Sequence, residues 1–191
     1  MGFGIAAAAK VGNAIGAQDI QGARRISWLI LSTCVTTQSL FALALWLSQG
    51  QWPLIFTDDP DVTNLVKEVI PLLSGFCIID AAQTAFGGIL RGVGKQTIGA
   101  ATYLFSYYVV GMSVGIPLAL CTSLALMGLW IGITSAATTS LIILGSFYLF
   151  MSWQSVIDES QKRLQSSKPK YGSLEESTGN EDVKTPPEVY A

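Results

Sequence analysis

Long apolar stretches alternate with short polar ones along this chain, and the charged residues are confined to the polar ones. No Asp, Glu, Lys or Arg occurs between Ile26 and Thr57, and none occurs between Gln96 and Ile157. A helix needs about 20 apolar residues to cross a bilayer, so the first stretch has room for one crossing and the second for two. The stretches lack the alternation that strands of a membrane barrel show. The pattern therefore predicts an all-α, polytopic transmembrane helix bundle.

The predicted helices fill most of the chain. Four complete spans are expected at about 26–48, 69–90, 98–120 and 124–151, and a partial helix is expected at 1–15. Residues 159–191 are polar, with Ser, Pro, Glu and Lys and almost no large aliphatic side chains. Such a segment cannot bury enough apolar surface to fold. We therefore expect a transmembrane region over 1–158 and a disordered tail over 159–191.

The charges between the spans indicate which side of the membrane each loop faces. Basic residues are concentrated in the first and third loops and after the last span: Lys10, Arg24, Arg25, Arg91, Lys95, Lys162, Arg163, Lys168 and Lys170. The second loop is acidic, with Asp58, Asp59, Asp61 and Glu68 against Lys67. Because short basic loops stay in the cytoplasm, the first and third loops and the C-terminal tail are predicted to be cytoplasmic.

The composition excludes several classes of function. Half of the residues are hydrophobic and 13% are charged, against about 25% charged in soluble domains. The absence of histidine removes catalytic triads and His-ligated metal sites. Cys34, Cys77 and Cys121 each lie alone in an apolar segment and favour packing over metal binding. No basic stripe indicates nucleic acid. We expect neither an enzyme nor a bound cofactor.

Glycine is abundant inside the predicted spans, with 19 residues in the chain. Four pairs are separated by three residues: Gly12/Gly16, Gly88/Gly92, Gly111/Gly115 and Gly128/Gly132. In lipid such pairs allow helix backbones to approach closely. They indicate tight packing, or alternatively helices that bend or slide during a transport cycle. Pro117 makes the third span the one that we expect to bend.

One acidic residue, Asp80, lies near the middle of the predicted second span. An ionised Asp at that depth costs about 2.5–3.5 kcal/mol on insertion scales, so it is expected to face the bundle interior or a watery cavity. Gln83 and Thr84 follow three and four residues later on the same helical face. They are candidates to hydrogen-bond the carboxyl group and to line a polar cavity with it. The alternative is a purely structural hydrogen bond between helices.

Several segments resemble the multidrug and toxin extrusion (MATE) transporters, particularly the animal branch. They are AAAAKVGNAIGAQDIQGAR (6–24), IFTDDPDVTNLV (55–66), GGILRGVGKQTIGA (87–100), YYVVG (107–111) and GLWIG (128–132). The resemblance implies a fold of twelve helices in two lobes, of which this chain supplies part of the C-terminal lobe, namely the end of helix 8 and helices 9–12. It also implies multi-pass insertion in the plasma membrane and export of organic cations, drugs and other xenobiotics in exchange for protons or sodium.

The resemblance further implies roles for particular residues. Family members carry an acid on the tenth helix that takes part in cation binding and coupling, and Asp80 occupies that position. Tyr107 is a candidate to line the cavity and to contact cations through its ring, with packing as the alternative. The usual proline after YYVVG is replaced by Ser113, and Pro117 follows four residues later, so this chain departs from the family at the expected bend.

Two functions are consistent with these features. The first is a proton-coupled antiporter of organic cations, whose partners are the bilayer and an N-terminal lobe outside this chain. A mid-membrane acid suits that function because a proton and a cation can compete for it. The second is a four-span scaffold or accessory protein that binds partners through its glycine faces and its tail. The first predicts that the Asp80 carboxyl is essential for exchange, and the second predicts that it is not.

Overall fold

The computed structural model describes residues 2–55, 58–163 and 165, and these form helices joined by short turns. The long helices are α1 (Gly2–Gly16), α2 (Ile20–Leu47), α3 (Pro60–Gly92), α4 (Gln96–Cys121) and α5 (Ala125–Phe150). A 3₁₀ turn, Pro53–Ile55, precedes α3, and a helix named α6 here covers 153–163. No strand occurs in the described part of the chain, so the predicted all-α fold is confirmed. Most of the predicted tail lies outside the described residues.

Three of the described helices are long and apolar enough to cross a membrane, namely α2, α4 and α5. Their outer faces carry large exposed apolar side chains, as expected for contact with lipid: Leu29, Leu40, Phe41 and Leu47 on α2, Leu104 on α4, and Ile142 and Phe150 on α5. These helices match the predicted spans 26–48, 98–120 and 124–151. The predicted span 69–90 lies inside α3, which is not one of the three, so its crossing of the membrane stays a prediction.

Helix α3 is the central helix of the bundle and packs against α1, α2, α4 and α5. It begins at Pro60 behind Asp59, whose carboxylate accepts from the N–H of Asp61 at 2.9 Å. Ile89 and Leu90 near its end are completely buried. Its buried residues also include small and polar ones, such as Ser74, Ala81 and Gln83.

Glycines of α3 lie directly against α1. A Cβ added at Gly88 would lie 2.5 Å from the carbonyl oxygen of Gly4, and one added at Gly92 would lie 2.9 Å from that of Ala8. Residue numbers rise together on the two helices, from Gly4 with Gly88 to Ala8 with Gly92, so α1 and α3 run in the same direction. The predicted topology requires this, because both helices lead into loops on the cytoplasmic side. A Cβ added at Gly12 would be 3.4 Å from the carbonyl oxygen of Gly92, which is a looser contact, and one added at Gly16 would lie in open space. Gly16 is therefore not a packing residue within the described structure.

Helix α4 contains a π-helical segment, Phe105–Gly111, between α-helical parts Gln96–Leu104 and Met112–Cys121. Pro117 lies in the second α-helical part, so the irregular geometry occurs before the residue that was expected to bend the helix. A π turn accommodates extra backbone without a proline, and such turns are frequent at functional sites. The segment ends at Gly111, where α4 meets Ala136 of α5.

One ion pair, between Lys95 and Glu159, attaches α6 to the turn between α3 and α4, and a second, between Arg163 and Glu159, lies within α6. The Glu159 carboxylate accepts from Lys95 Nζ and from Arg163 Nη2, each at 2.5 Å. Gly94, in the turn, has a φ of 75°, a conformation that glycine adopts without steric cost. The hydrogen bond from Lys95, followed by that from Arg163, lowers the pKa of Glu159 below its ordinary value of 4.5.

We expect α6 to separate from this turn as the solution becomes acidic. A carboxyl group with a lowered folded pKa stabilises the docked state above its unfolded pKa, and this contribution is lost as the pH falls through the folded value. Glu159→Gln should release α6 at neutral pH as well. Because surface ion pairs are weak, amide hydrogen exchange over 153–163 should rise by no more than about fivefold.

Asp158→Asn is the matched control for this prediction. Asp158 precedes Glu159, but its carboxylate accepts from Gln154 within α6 and not from the turn. Its replacement should leave exchange over 153–163 nearly unchanged. Equal effects of the two substitutions would show that the ion pairs with Glu159 do not hold α6 in place.

Candidate functional site

Asp80 lies half-buried in the middle of α3, one helical turn before Gln83. Gln83 Nε2 donates to Asp80 Oδ1 at 2.8 Å, and the Gln83 residue is only 3% exposed. The predicted pairing of these two residues is therefore present. Within the described residues this is the hydrogen bond that the Asp80 carboxylate accepts, which leaves its second oxygen available to a proton or a cation.

Gln83 is the residue that connects α3 to the two following helices. Its Nε2 also donates to the hydroxyl oxygen of Tyr107 on α4, at 2.9 Å. Its Oε1 accepts a hydrogen bond from the hydroxyl of Ser140, a fully buried residue on α5. The interhelical hydrogen bonds thus belong to Gln83 and not to Asp80. Within the described residues Asp80 is therefore linked to α4 and α5 through Gln83 and not directly.

Tyr103 closes the cluster toward the C-terminal end of α3. Its hydroxyl donates to the backbone oxygen of Gln83 at 2.9 Å, and its ring lies where a side chain at Gly87 would otherwise extend. Gly87 is therefore required for Tyr103 to approach α3. The cluster consists of Asp80, Gln83, Tyr103, Tyr107 and Ser140, and we call it the Asp80 cluster.

Thr84 lies on the flank of α3 that faces α1, and in the described part of the chain its side chain is not bonded to the Asp80 cluster. Its Cγ2 methyl is 3.5 Å from the position of a Cβ built on Gly4 of α1. Among the described residues the hydrogen bond to Asp80 comes from Gln83 and not from Thr84. The predicted set of Asp80, Gln83, Thr84 and Tyr107 is thus three members of one cluster and a neighbour that faces α1.

Two members of the Asp80 cluster, Tyr103 and Ser140, were not expected from the sequence. Tyr103 precedes Tyr107 by four residues, so the two rings share a face of α4, and this spacing was an available signal. Ser140 follows a run of Thr and Ser residues in the fourth predicted span. Several of these hydroxyls bond to carbonyl oxygens of their own helix, including Thr134, Thr138 and Thr139. Only packing distinguishes Ser140 from them.

Beside the cluster, α4 and α5 border an open apolar groove of about 480 Å³. It is lined by Tyr107, Tyr108, Gly111, Met112, Gly115, Ile116, Leu129 and Ile133. The Tyr107 hydroxyl belongs to the Asp80 cluster and its ring lines the groove, while Tyr108 is 67% exposed. The Asp80 carboxylate is thus connected through Gln83 and Tyr107 to an aromatic and aliphatic surface, a combination that suits an organic cation.

Comparisons with known proteins agree on one family. Residues 1–117 match the profile of the MatE family. The chain is 36% identical over 160 residues to multidrug and toxin extrusion protein 1 of Homo sapiens, covering 84% of this chain and 28% of that protein. It is 34% identical over 162 residues to multidrug and toxin extrusion protein 2 of Oryctolagus cuniculus, covering 85% of this chain and 27% of that protein.

A solved structure shows the same relationship in three dimensions. The crystal structure of the eukaryotic MATE transporter AtDTX14 matches with a TM-score of 0.79 and 29% identity. The match covers 84% of this chain and 36% of that chain. The present chain therefore spans less than a third of the length of the two relatives and about a third of the solved chain, and the described helices correspond to part of a larger helical bundle.

Proposed function

This chain belongs to the MatE family of transporters, and from that premise we propose that it supplies the Asp80 cluster of a proton-coupled antiporter that exports organic cations. The observation that carries the proposal is the geometry of Asp80. Its half-buried carboxylate has one oxygen bound to Gln83, which also bonds to Tyr107 in the lining of an aromatic groove. The membrane placement is supported by three helices with the length and composition of spans.

Competition for the Asp80 carboxylate supplies the coupling in this proposal. The ionised carboxylate attracts a cationic group, whereas the protonated form has no net charge to hold it. The ionised carboxylate has lone pairs besides the one that accepts from Gln83, so it can bind either a proton or a cationic group. A site that binds either one, but not both, exchanges them across the membrane when it is exposed to each side in turn.

The groove beside Tyr107 supports an organic rather than an inorganic cation. Its lining is aromatic and aliphatic, with Tyr108, Met112 and Ile133 among the residues that border it. A hydrophobic cation gains from contact with such a surface, and the tyrosine faces add attraction for its charge. A small hydrated metal ion would gain nothing from this surface. We therefore propose drugs and other xenobiotics with a protonated or quaternary nitrogen as substrates.

A second lobe is the expected partner of this chain. Alternating access requires two lobes that move around one site, and the chain covers 28% of its human relative. We propose that the remaining length forms an N-terminal lobe and that the whole lies in the plasma membrane. The basic turn that holds Arg91 and Lys95 would face the cytoplasm, together with the C-terminus.

Vesicle transport tests this proposal. A protein that joins this segment to the rest of a MATE transporter should take up labelled tetraethylammonium when an outward proton gradient is imposed. The present chain alone should give no more uptake than empty vesicles, because it lacks a second lobe. A sodium gradient is the matched condition for the coupling ion. A joined protein that ignores both gradients would favour the scaffold function, and robust uptake by the present chain would contradict the need for a second lobe.

A further inference from the structure

We infer that the side-chain amide of Gln83 is a two-position switch that transmits the protonation state of Asp80 to Tyr107 on α4 and Ser140 on α5. The inference rests on the proposed function, in which Asp80 takes up the proton, and it names the residue through which that event reaches the other helices. Gln83 is a positioning residue in this scheme. It acts through its hydrogen-bond partners.

With Asp80 ionised, the hydrogen bonds fix the orientation of the amide. A carboxylate can only accept, so the Gln83 NH₂ group must face Asp80 Oδ1, at 2.8 Å. The other N–H of this group donates to the Tyr107 hydroxyl oxygen at 2.9 Å. The amide oxygen is then turned to Ser140, whose hydroxyl donates to it. Tyr107 is thus an acceptor in this state and Ser140 is a donor.

Protonation of Asp80 favours the opposite orientation. When the proton is on Oδ1, the neutral carboxyl group presents an O–H to Gln83, and a rotation that exchanges the oxygen and nitrogen of the Gln83 amide supplies its acceptor. The amide oxygen then also faces Tyr107, whose hydroxyl can donate to it. The NH₂ group faces Ser140, whose oxygen can accept. The proton of the Ser140 hydroxyl retains an acceptor, because the carbonyl oxygen of Ala137 lies 3.0 Å away.

The same three partners are therefore satisfied in both states, with donor and acceptor roles reversed. In the ionised state the Tyr107 proton is not used by Gln83 and can point into the groove. In the protonated state that proton is directed at Gln83. The hydrogen-bonding character of the groove wall thus follows the charge of Asp80.

Other titratable groups around Asp80 do not offer a competing route. Titratable side chains near Asp80 are Cys34 on α2, Cys77 on α3 and Tyr103 on α4. Cys34 donates to the Ala81 oxygen at 3.4 Å, and Tyr103 donates to the backbone of Gln83. Helix α5 has no charged residue. Among the described side chains, only the Gln83 amide contacts both Asp80 and Tyr107.

Nuclear magnetic resonance on the full chain in lipid nanodiscs tests the switch. The chain is labelled with ¹³C at the tyrosine Cζ and the aspartate Cγ, and Tyr107→Phe and Asp80→Asn assign the two resonances. We expect the Tyr107 resonance to shift with the same midpoint as the Asp80 carboxyl. In Gln83→Met, Asp80 should still titrate while the Tyr107 shift is lost. Gln96→Met, on the exposed first turn of α4, is the matched control and should keep the shift.

The outcomes separate the switch from the proposed function. A Tyr107 shift that persists in Gln83→Met, or an unmutated chain in which only Asp80 titrates, would overturn the switch and leave the antiport proposal in place. If transport fails but Tyr107 still follows the Asp80 titration through Gln83, the antiport proposal is overturned and the switch is retained. An Asp80 carboxyl that never changes state would overturn both. If Gln83→Met does not fold, ¹³Cδ of Gln83 in the unmutated chain must follow the Asp80 titration, and a constant resonance would overturn the switch.

Discussion

Replacing Asp80 with Asn in a protein that joins this segment to a complete MATE transporter should reduce proton-driven uptake of tetraethylammonium to the level of empty vesicles. Asn has nearly the same volume, and its Oδ1 can still accept from Gln83 Nε2, which lies 2.8 Å from the Asp80 oxygen. The substitution removes the charge and the ability to take up a proton. The amount of protein in the membrane should change little, because insertion no longer includes the cost of an ionised acid.

Thr84→Val provides the matched control for this experiment. Thr84 follows Asp80 by one helical turn, but its methyl group faces Gly4 on α1 and lies outside the Asp80 cluster. The isosteric replacement should keep most of the uptake, and Asp80→Glu should keep part of it because the carboxyl group survives. Uptake by Asp80→Asn that equals that of the unmutated protein would contradict the coupling role proposed for Asp80 and is the result that the scaffold hypothesis predicts.

The contrast between Gln83 and Thr84 shows what the sequence can predict about the site. Residues three and four positions after Asp80 are both near it along a helix, but they lie on opposite sides of it around the helix axis. Spacing alone cannot say which side meets a polar partner. The partners settle it, since α4 and α5 pack on the side of Gln83 and α1 packs on the side of Thr84.

Predictions of the fold succeeded where they depended on the local properties of one segment. The long uncharged stretches locate α2, α4 and α5, because the minimum length of a span is set by the membrane. The π segment Phe105–Gly111 was missed. Its sequence contains no proline, and its last residue, Gly111, packs against Ala136 of α5. A sequence pattern cannot convey that packing without knowledge of which helices are neighbours.

The paired glycines illustrate the same limit. Gly111, Gly115, Gly128 and Gly132 were expected to allow close approach, and the structure confirms that they form one contact between α4 and α5. The pair Gly12/Gly16 has the same spacing, yet a Cβ added at Gly16 would have no neighbouring atom of the described structure within 4 Å. The motif shows that a close contact is possible. Whether the contact forms depends on the partner helix. Helix α3 ends at Gly92, which lies beside Gly12, so α1 has no partner from α3 at Gly16.

A single methyl group at Gly132 should test that contact. A Cβ there would lie 2.7 Å from both the carbonyl oxygen of Gly111 and the backbone nitrogen of Gly115, and backbone atoms cannot move aside as a flexible side chain can. The helices must separate, so Gly132→Ala should lower the free energy of unfolding by about 1–3 kcal/mol, the usual cost of overpacking. The loss is expected although alanine favours helices more than glycine does.

Gly145→Ala, on the same helix, isolates packing from helix propensity. A Cβ at Gly145 would be 3.7 Å from the Phe86 ring, an ordinary contact, so this variant should gain about 1 kcal/mol from propensity alone. Unfolding of the chain in mixed micelles, followed by circular dichroism, gives both values under one condition. Opposite signs for the two substitutions are the expected result. If Gly132→Ala and Gly145→Ala have the same free energy of unfolding, α4 and α5 are not held in this close contact in the micelle.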